Sequence, residues 1–323
     1  MRRTIRFSLT ILLALASGAA LAQADYPNKP IRLILPIAAG SVTDVVLRAA
    51  SPNLSERLGQ PLVIDNRPGA SGIIGAEACA KATPDGYTVC AVYHSIMSFN
   101  PFTFDKLPYD PDRDFVPVTN LFFVIEGLVV PSNLPVGSVA ELRAYAAKNP
   151  TAVNLGTLGE GSLQELFLAW LNREWGTSIA GIPYKGGGPI ATALLAGDIQ
   201  IGQMGLGNFI GQIQGGKLRA LAISASRRSR MLPQVPTSAE AGLGGFAARV
   251  WWGLVVPAGT PAPVVAKLNA DFLQVFREKA FGEFMEERYV EPALGTPGEF
   301  AAFLKADREA ARALVKLGGQ AKR

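Results

Sequence analysis

Ile31-Arg32-Leu33-Ile34-Leu35-Pro36-Ile37-Ala38-Ala39-Gly40-Ser41-Val42-Thr43-Asp44 joins a short apolar run, a loop of small residues and the opening of a helix. The run Ile31–Leu35 stops at Pro36, as a buried strand does. Ser41 and Asp44 have capping-box spacing, which starts a helix over about 43–58; Pro52 inside it is predicted to kink or split it. The same order recurs along the chain. Strands are predicted at 62–65 and 88–93 and a helix at 75–81, punctuated by Asn66-Arg67-Pro68-Gly69 and Asp85-Gly86. After a Pro/Asp-rich loop at 107–114, the almost wholly apolar run 122–130 reads as one central strand. Ser138 with Glu141 opens a helix to about 148, and a strand at 153–155 leads into Gly156-Thr157-Leu158-Gly159-Glu160-Gly161-Ser162. Ser162 with Glu165 then caps an amphipathic helix to about 175. Strand 179–183 runs into Tyr184-Lys185-Gly186-Gly187-Gly188-Pro189 and a helix to about 196. Strands at 199–204, 220–224 and 250–256 follow, then two closing helices, one after Pro261 and Pro263 and one from Pro297 behind Thr296. This alternation is that of an α/β protein, predicted to have open parallel sheets with helices on both faces and ligands held at the carboxyl ends of strands.

Composition narrows the function. The 323 residues, 49% hydrophobic and 18% charged, suit about two packed domains and exclude a disordered chain. One His and two Cys are too few for the common zinc sites, Cys-rich clusters or His-dependent triads. Arg2, Arg3 and Arg6 precede an apolar run at 7–15 and an A-x-A pattern at 20–24, which reads as a cleaved export signal over residues 1–24, too short in its apolar part to span a membrane. The Arg2-Arg3 pair fits either general or twin-arginine export. Removing those residues takes three Arg and no acid from a formal charge of +5, leaving 28 basic against 26 acidic residues, or +2. A nucleic-acid partner therefore has no electrostatic basis. In an oxidising compartment Cys79 and Cys90 either form a disulfide or pack as two small apolar side chains.

Three small-residue loops, 36–44, 156–162 and 184–189, each precede a helix. A helix N-terminus offers unpaired N–H groups and the positive end of the dipole, so such loops suit a carboxylate or phosphate; ordinary strand-to-helix turns would show the same glycines. Gly69-x-x-Gly72-x-x-Gly75 and Gly205-x-Gly207-x-x-x-Gly211 both miss dinucleotide spacing, and Gly159-Glu160-Gly161-Ser162-Leu163 lacks the last glycine of a nucleophile elbow. His94, at a strand end beside Ser95, serves either a ligand or a structural hydrogen bond. Trp251 and Trp252 alternate faces, one covering a cleft and the other packing in a core, while Trp170 and Trp175 are packing residues.

Further residues carry a resemblance. Tyr26-Pro27-Asn28-Lys29-Pro30-Ile31-Arg32, Thr43-Asp44, Leu58-Gly59-Gln60-Pro61, Asp65-Asn66-Arg67-Pro68-Gly69-Ala70 and Pro84-Asp85-Gly86-Tyr87-Thr88 are similar to the Bug-type (TctC) extracytoplasmic receptors of tripartite tricarboxylate transporters. So are Leu107-Pro108-Tyr109-Asp110-Pro111, Pro183-Tyr184-Lys185-Gly186-Gly187, Gly216-Lys217-Leu218-Arg219-Ala220 and Pro257-Ala258-Gly259-Thr260-Pro261. The resemblance implies a type II periplasmic-binding-protein fold, two α/β lobes closing on a ligand cleft, with lobe 1 at 25–125 plus 251–323 and lobe 2 at 126–250. It implies a monomeric periplasmic receptor for a small organic acid, working with membrane transporter subunits, without cofactor, metal or catalysis. The ligand-binding residues it implies are Ile37, Ala38, Ala39, Gly40, Ser41, Thr43, Asp44, His94, Ser95, Leu158, Gly159, Glu160, Gly161, Ser162, Tyr184, Lys185, Gly186, Gly187 and Gln203. Where the family carries a Gly pair before Thr-Asp, this chain has Ser41 and Val42; Glu160 replaces a neutral residue, and Gln200 and Gln203 stand where acids are common. These departures point to a monocarboxylate or an amide-bearing ligand rather than citrate. The alternatives are an enzyme on the same scaffold, with His94 or Glu160 as base, or a sensor without a transport role.

Overall fold

The computed structural model describes residues 26–159, 161–246 and 248–317. The export signal expected at 1–24 lies outside them, as does Glu160.

Strand β1 (Ile31–Leu35) lies inside a six-stranded sheet, parallel to β2 (Leu62–Asn66), with Ile31 opposite Leu62, and to β3 (Thr88–Tyr93), with Arg32 opposite Thr88. Helices α1 (Val42–Leu58) and α2 (Ile73–Ala80) make the crossovers. A π turn over Ser95–Phe99 runs into α3 (Asn100–Thr103) and then β4 (Phe115–Val124). The sheet order is β11-β4-β10-β3-β1-β2, in which β10 is Val250–Pro257 and β11 is Val290–Pro292. Between them run α8 (Ala262–Arg277) and α9 (Lys279–Glu286), and α10 (Pro297–Leu317) closes the description. The second sheet comprises β5 (Glu126–Pro131), β6 (Asn154–Thr157), β7 (Ala180–Pro183), β8 (Ile201–Gly205) and β9 (Leu218–Ile223) in the order β7-β6-β8-β5-β9. Its helices are α4 (Val139–Lys148), α5 (Leu163–Trp175), α6 (Gly187–Ala196) and the short α7 (Ile210–Gln214).

Both sheets are mixed, which corrects the expectation of parallel ones. β10 runs antiparallel to β3 and β4, and β5 antiparallel to β8 and β9. A strand that begins where the chain crosses from the other sheet enters at the carboxyl ends of its neighbours and must run against them. The apolar run 122–130 is likewise two strands, not one. Ile125 divides it: its N–H donates to the Tyr289 carbonyl at 2.9 Å, and its own carbonyl accepts from the Leu206 N–H at 2.8 Å, so one residue is tied to both sheets. Apolar pattern alone could not show which sheet each half joins.

Each sheet is covered on both faces. In the first, Val46, Leu47 and Leu54 of α1 meet Leu268, Phe272 and Phe276 of α8 on one face, while Trp251, Phe300 and Leu304 fill the other. Trp251 and Trp252 alternate as expected, yet both are buried; Trp252 stacks on Tyr93 at 4.7 Å rather than covering an open cleft. Pro52 does not split α1, because Leu47, Ala50 and Leu54 pin the helix to the core on both sides of it. Cys79 of α2 and Cys90 of β3 form a disulfide, with Cα atoms 6.1 Å apart. A smaller apolar cluster joins the two sheets' surroundings: Phe99, Ala311, Leu314 and Val315 meet Leu163 and Leu166 at the start of α5.

Candidate ligand-binding cleft

The loop leaving β1 is tied down from beneath. Ser41 caps α1, its Oγ accepting the Asp44 N–H at 3.2 Å. The Asp44 carboxylate accepts the Gly40 N–H at 2.9 Å, Arg48 Nε at 2.9 and 3.0 Å, and Asn66 Nδ2 at 3.0 Å; Asn66 also donates to the Ile37 carbonyl at 3.0 Å. Burial works to raise the Asp44 pKa, but Arg48, Gly40 and Asn66 outweigh it and hold the acid below its usual range. Asp44 and Thr43 are buried, and what the loop shows to solvent is Ala38, Ala39, Gly40 and part of Ser41. Asp44 therefore shapes the loop from its buried side.

The loop leaving β6 repeats the plan. Thr157 Oγ1 accepts the Gly159 N–H at 3.2 Å, the Gly159 carbonyl accepts the Ser162 N–H at 3.1 Å, and Ser162 Oγ caps α5 by accepting the Glu165 N–H at 3.3 Å. Gly159 and Gly161 hold φ of +89° and +77°, a conformation that side chains resist. Leu158 is exposed. The next loop lies alongside, its Tyr184 N–H donating to the Thr157 carbonyl at 2.8 Å. Tyr184 is half-buried and Lys185 exposed, while Gly187 is enclosed: a Cβ there would stand 2.5 Å from Asn208 Cγ, and Asn208 is itself fixed to the Gly205 carbonyl at 2.7 Å.

Two contacts bring the lobes' loops to one place. Gly207, just past β8, abuts Val42 at the start of α1, and Gly161 faces Thr103 and Phe104 past the end of β3. The carboxyl ends of β1 and β3 thus oppose those of β6 and β8, with the Ser-capped N-termini of α1 and α5 on opposite walls. The first N–H groups of each helix have no intrahelical acceptor, so the two termini favour an anion.

Three of the implied site residues are buried. His94 and Ser95 are buried, and His94 packs edge-on against Tyr93 and Phe99 with Nδ1 unpartnered. Burial pushes its pKa down to about 3, so the imidazole is neutral and a poor base. Gln203 lies within β8, its Nε2 donating to the Glu126 carboxyl. Sequence reasoning missed Glu126, Asn66 and Asn208; the lone acid at 126 inside an apolar run was the available signal for the first. Gln164 Nε2 also reaches the Glu126 carboxyl, at 3.4 Å, and burial raises the Glu126 pKa to about 8, although the Gln203 hydrogen bond opposes the shift.

This architecture has well-matched relatives. Protein BugT of Bordetella pertussis is 34% identical over 296 residues, covering 91% of each chain. Among solved structures, R. palustris Rpa4515 with adipate superimposes with a TM-score of 0.85 at 32% identity, covering 91% of this chain and 99% of that one. MatC from Rhodopseudomonas palustris with bound malate gives 0.80 at 31% identity over 90% and 100% of the two chains. Residues 46–319 match the family described as TctC, tripartite tricarboxylate transporter family receptor. With two mixed sheets, paired helix N-termini and that match over most of its length, the chain belongs to the tripartite tricarboxylate transporter receptor family.

Proposed function

We propose that this receptor works in the periplasm as a monomer, exported by the signal at 1–24, and delivers a small organic acid to membrane transporter subunits. The lobes divide at 25–125 with 251–323 and at 126–250, and the acid binds between them. Its carboxylate lies between the α1 and α5 N-termini, held by backbone N–H groups and hydroxyls of residues 37–41 and 158–162, with Tyr184, Lys185, Gly186 and Gly187 closing one side. The observation that carries this reading is the pair of Ser-capped helix starts on opposite walls, each behind a loop of mostly small residues. The adipate and malate bound by the two solved relatives have the chemistry such walls favour. No turnover is expected, because His94, the chain's only imidazole, is buried and neutral.

Gln200 and Gln203 stand where acids are common in the family, and we propose a monocarboxylate or an amide-bearing acid over citrate. A thermal-shift screen of adipate, malate, simple monocarboxylates, ω-amides and citrate tests this. A ligand at about 100 times its Kd adds about 2.7 kcal/mol, which for a chain of this size raises the melting temperature by roughly 4 °C. Stabilisation by no organic acid would overturn the receptor reading; tight citrate binding with silence from the others would overturn the preference.

A further inference from the structure

Two contacts join the lobes at the cleft, and each sets a lobe 2 glycine against lobe 1. A Cβ on Gly207 would stand 3.2 Å from Val42 Cγ2 and 3.4 Å from the Arg288 carbonyl oxygen; one on Gly161 would lie 3.6 Å from the Phe104 ring and 3.8 Å from Thr103 Oγ1. Val42 is the first residue of α1, and Gly161 precedes the Ser162 cap of α5, so each contact borders one of the two helix starts that frame the cleft. Gly161 holds φ of +77° and needs glycine for its backbone alone. Gly207 does not: its φ is not positive, and it lies in a short 3₁₀ turn, Leu206–Asn208, of a kind that ordinary residues form. Space is what keeps it small. Among the described residues, Val42 and Arg288 are the only neighbours of that Cβ within 4 Å outside the turn itself, and both belong to lobe 1. A larger side chain at 207 therefore presses first on the opposite lobe, not on the core of its own.

Helix N-termini attract carboxylates, sulfonates and phosphates alike, because unpaired N–H groups and the dipole respond to negative charge more than to its shape. What can tell one oxyanion from another is the space between the walls. A carboxylate is planar with two oxygens, whereas a sulfonate is tetrahedral with three and needs more room. Val42 meeting the Gly207 backbone halts the approach of the walls at one separation, because close-packed atoms resist further compression. We propose that the Val42–Gly207 contact is the stop that sets the closed width of the cleft, and that it thereby selects a carboxylate over a sulfonate of the same charge and tail. This inference rests on the cleft reading above and adds to it the residues that discriminate. Val42 and Gly207 are positioning residues, each touching the other lobe rather than the anion.

Calorimetric titration of the chain with two matched pairs tests it: hexanoate with pentanesulfonate, and adipate with butanedisulfonate. Within each pair the alkyl chain is the same, and so is the charge at neutral pH. The wild type should bind at least one carboxylate about tenfold tighter than its sulfonate partner. Gly207→Val, which wedges the lobes apart, should lower that ratio by at least about fourfold, the effect of one buried methylene. Adding Val42→Gly returns the room, and the double variant should recover the wild-type ratio to within about twofold. Lost stability alone would weaken both members of a pair equally and leave the ratio where it was. Should Gly207→Val fail to fold, Gly207→Ala, whose Cβ already crowds both neighbours, should lower the ratio by about twofold. A wild type that binds the sulfonate as well as the carboxylate or better, a ratio unmoved in the Gly207 variant, or a double variant that stays where Gly207→Val put it each overturns the stop and leaves the cleft reading in place. Binding of none of the four anions overturns the cleft reading, and this inference with it.

Discussion

Glu126 holds a carboxyl group where a charge has almost no water to stabilise it. It is 4% exposed, with the Gln203 and Gln164 amides as its partners, and burial lifts its pKa from 4.5 to about 8. The folded state therefore keeps a proton that the unfolded chain releases above pH 4.5. Stability from this group is fully present below that pH and falls as pH rises from about 4.5 to 8, by an amount on the order of a few kcal/mol. Glu126→Gln keeps the shape and the amide partners but cannot titrate. Denaturant melts of both proteins between pH 5 and pH 8 should show a declining midpoint in the wild type and a flatter one in the variant; parallel curves would mean that Glu126 ionises freely in the folded state. Asp44 is the opposite case. Its lowered pKa stabilises the fold above the unfolded value and is lost as pH falls, so the two acids bend the stability profile from both ends.

Local chemistry decided which elements the sequence could reveal. The Ser41–Asp44, Ser138–Glu141 and Ser162–Glu165 spacings all form caps, because an N-cap is satisfied within three residues of itself. The division at Ile125 depends instead on Tyr289 and Leu206, partners 164 and 81 positions away, and no window of sequence contains them. Helix α9 and strand β11 escaped for the same reason: β11 is three residues long and exists by pairing with β4. In the site, the loops were legible as Gly-rich turns before helices, whereas the burial of His94 and the commitment of Gln203 to Glu126 follow from packing. The sequence left the cysteines as either a bond or two thiols; the fold joins them, stapling α2 to β3 across a separation of 11 residues. Closing a loop of that length stabilises by about 3 kcal/mol through the unfolded chain. Replacing both cysteines by Ala should therefore lower the melting temperature by roughly 5 °C under oxidising conditions, and adding a thiol reductant should shift only the wild type. A double variant that melts with the wild type would show the bond to be thermodynamically idle.

Across the whole molecule, the lobes are linked by more than the two crossings. Tyr289 follows α9, a helix packed on the first sheet, yet its ring is buried in the second lobe's cluster with Ile125, Val129 and Phe209, while its carbonyl accepts the Ile125 N–H. On another side, Leu163 and Leu166 of α5 share an apolar cluster with Ala311, Leu314 and Val315 of α10. These contacts make each lobe part of the other's core. Unfolding one lobe alone would expose Tyr289 on one side and the α5–α10 seam on the other, at about 25 cal/mol for each Å² of apolar surface returned to water. Calorimetry should accordingly record one transition, with the van't Hoff and calorimetric enthalpies in agreement. Leu166, 1% exposed, lies in the seam, and Leu166→Ala should cost about 2–5 kcal/mol and broaden or split the transition by weakening the link between the lobes. Two well-separated transitions in the wild-type chain would show instead that the lobes fold independently, with Tyr289 and the α5–α10 seam too weak to couple them.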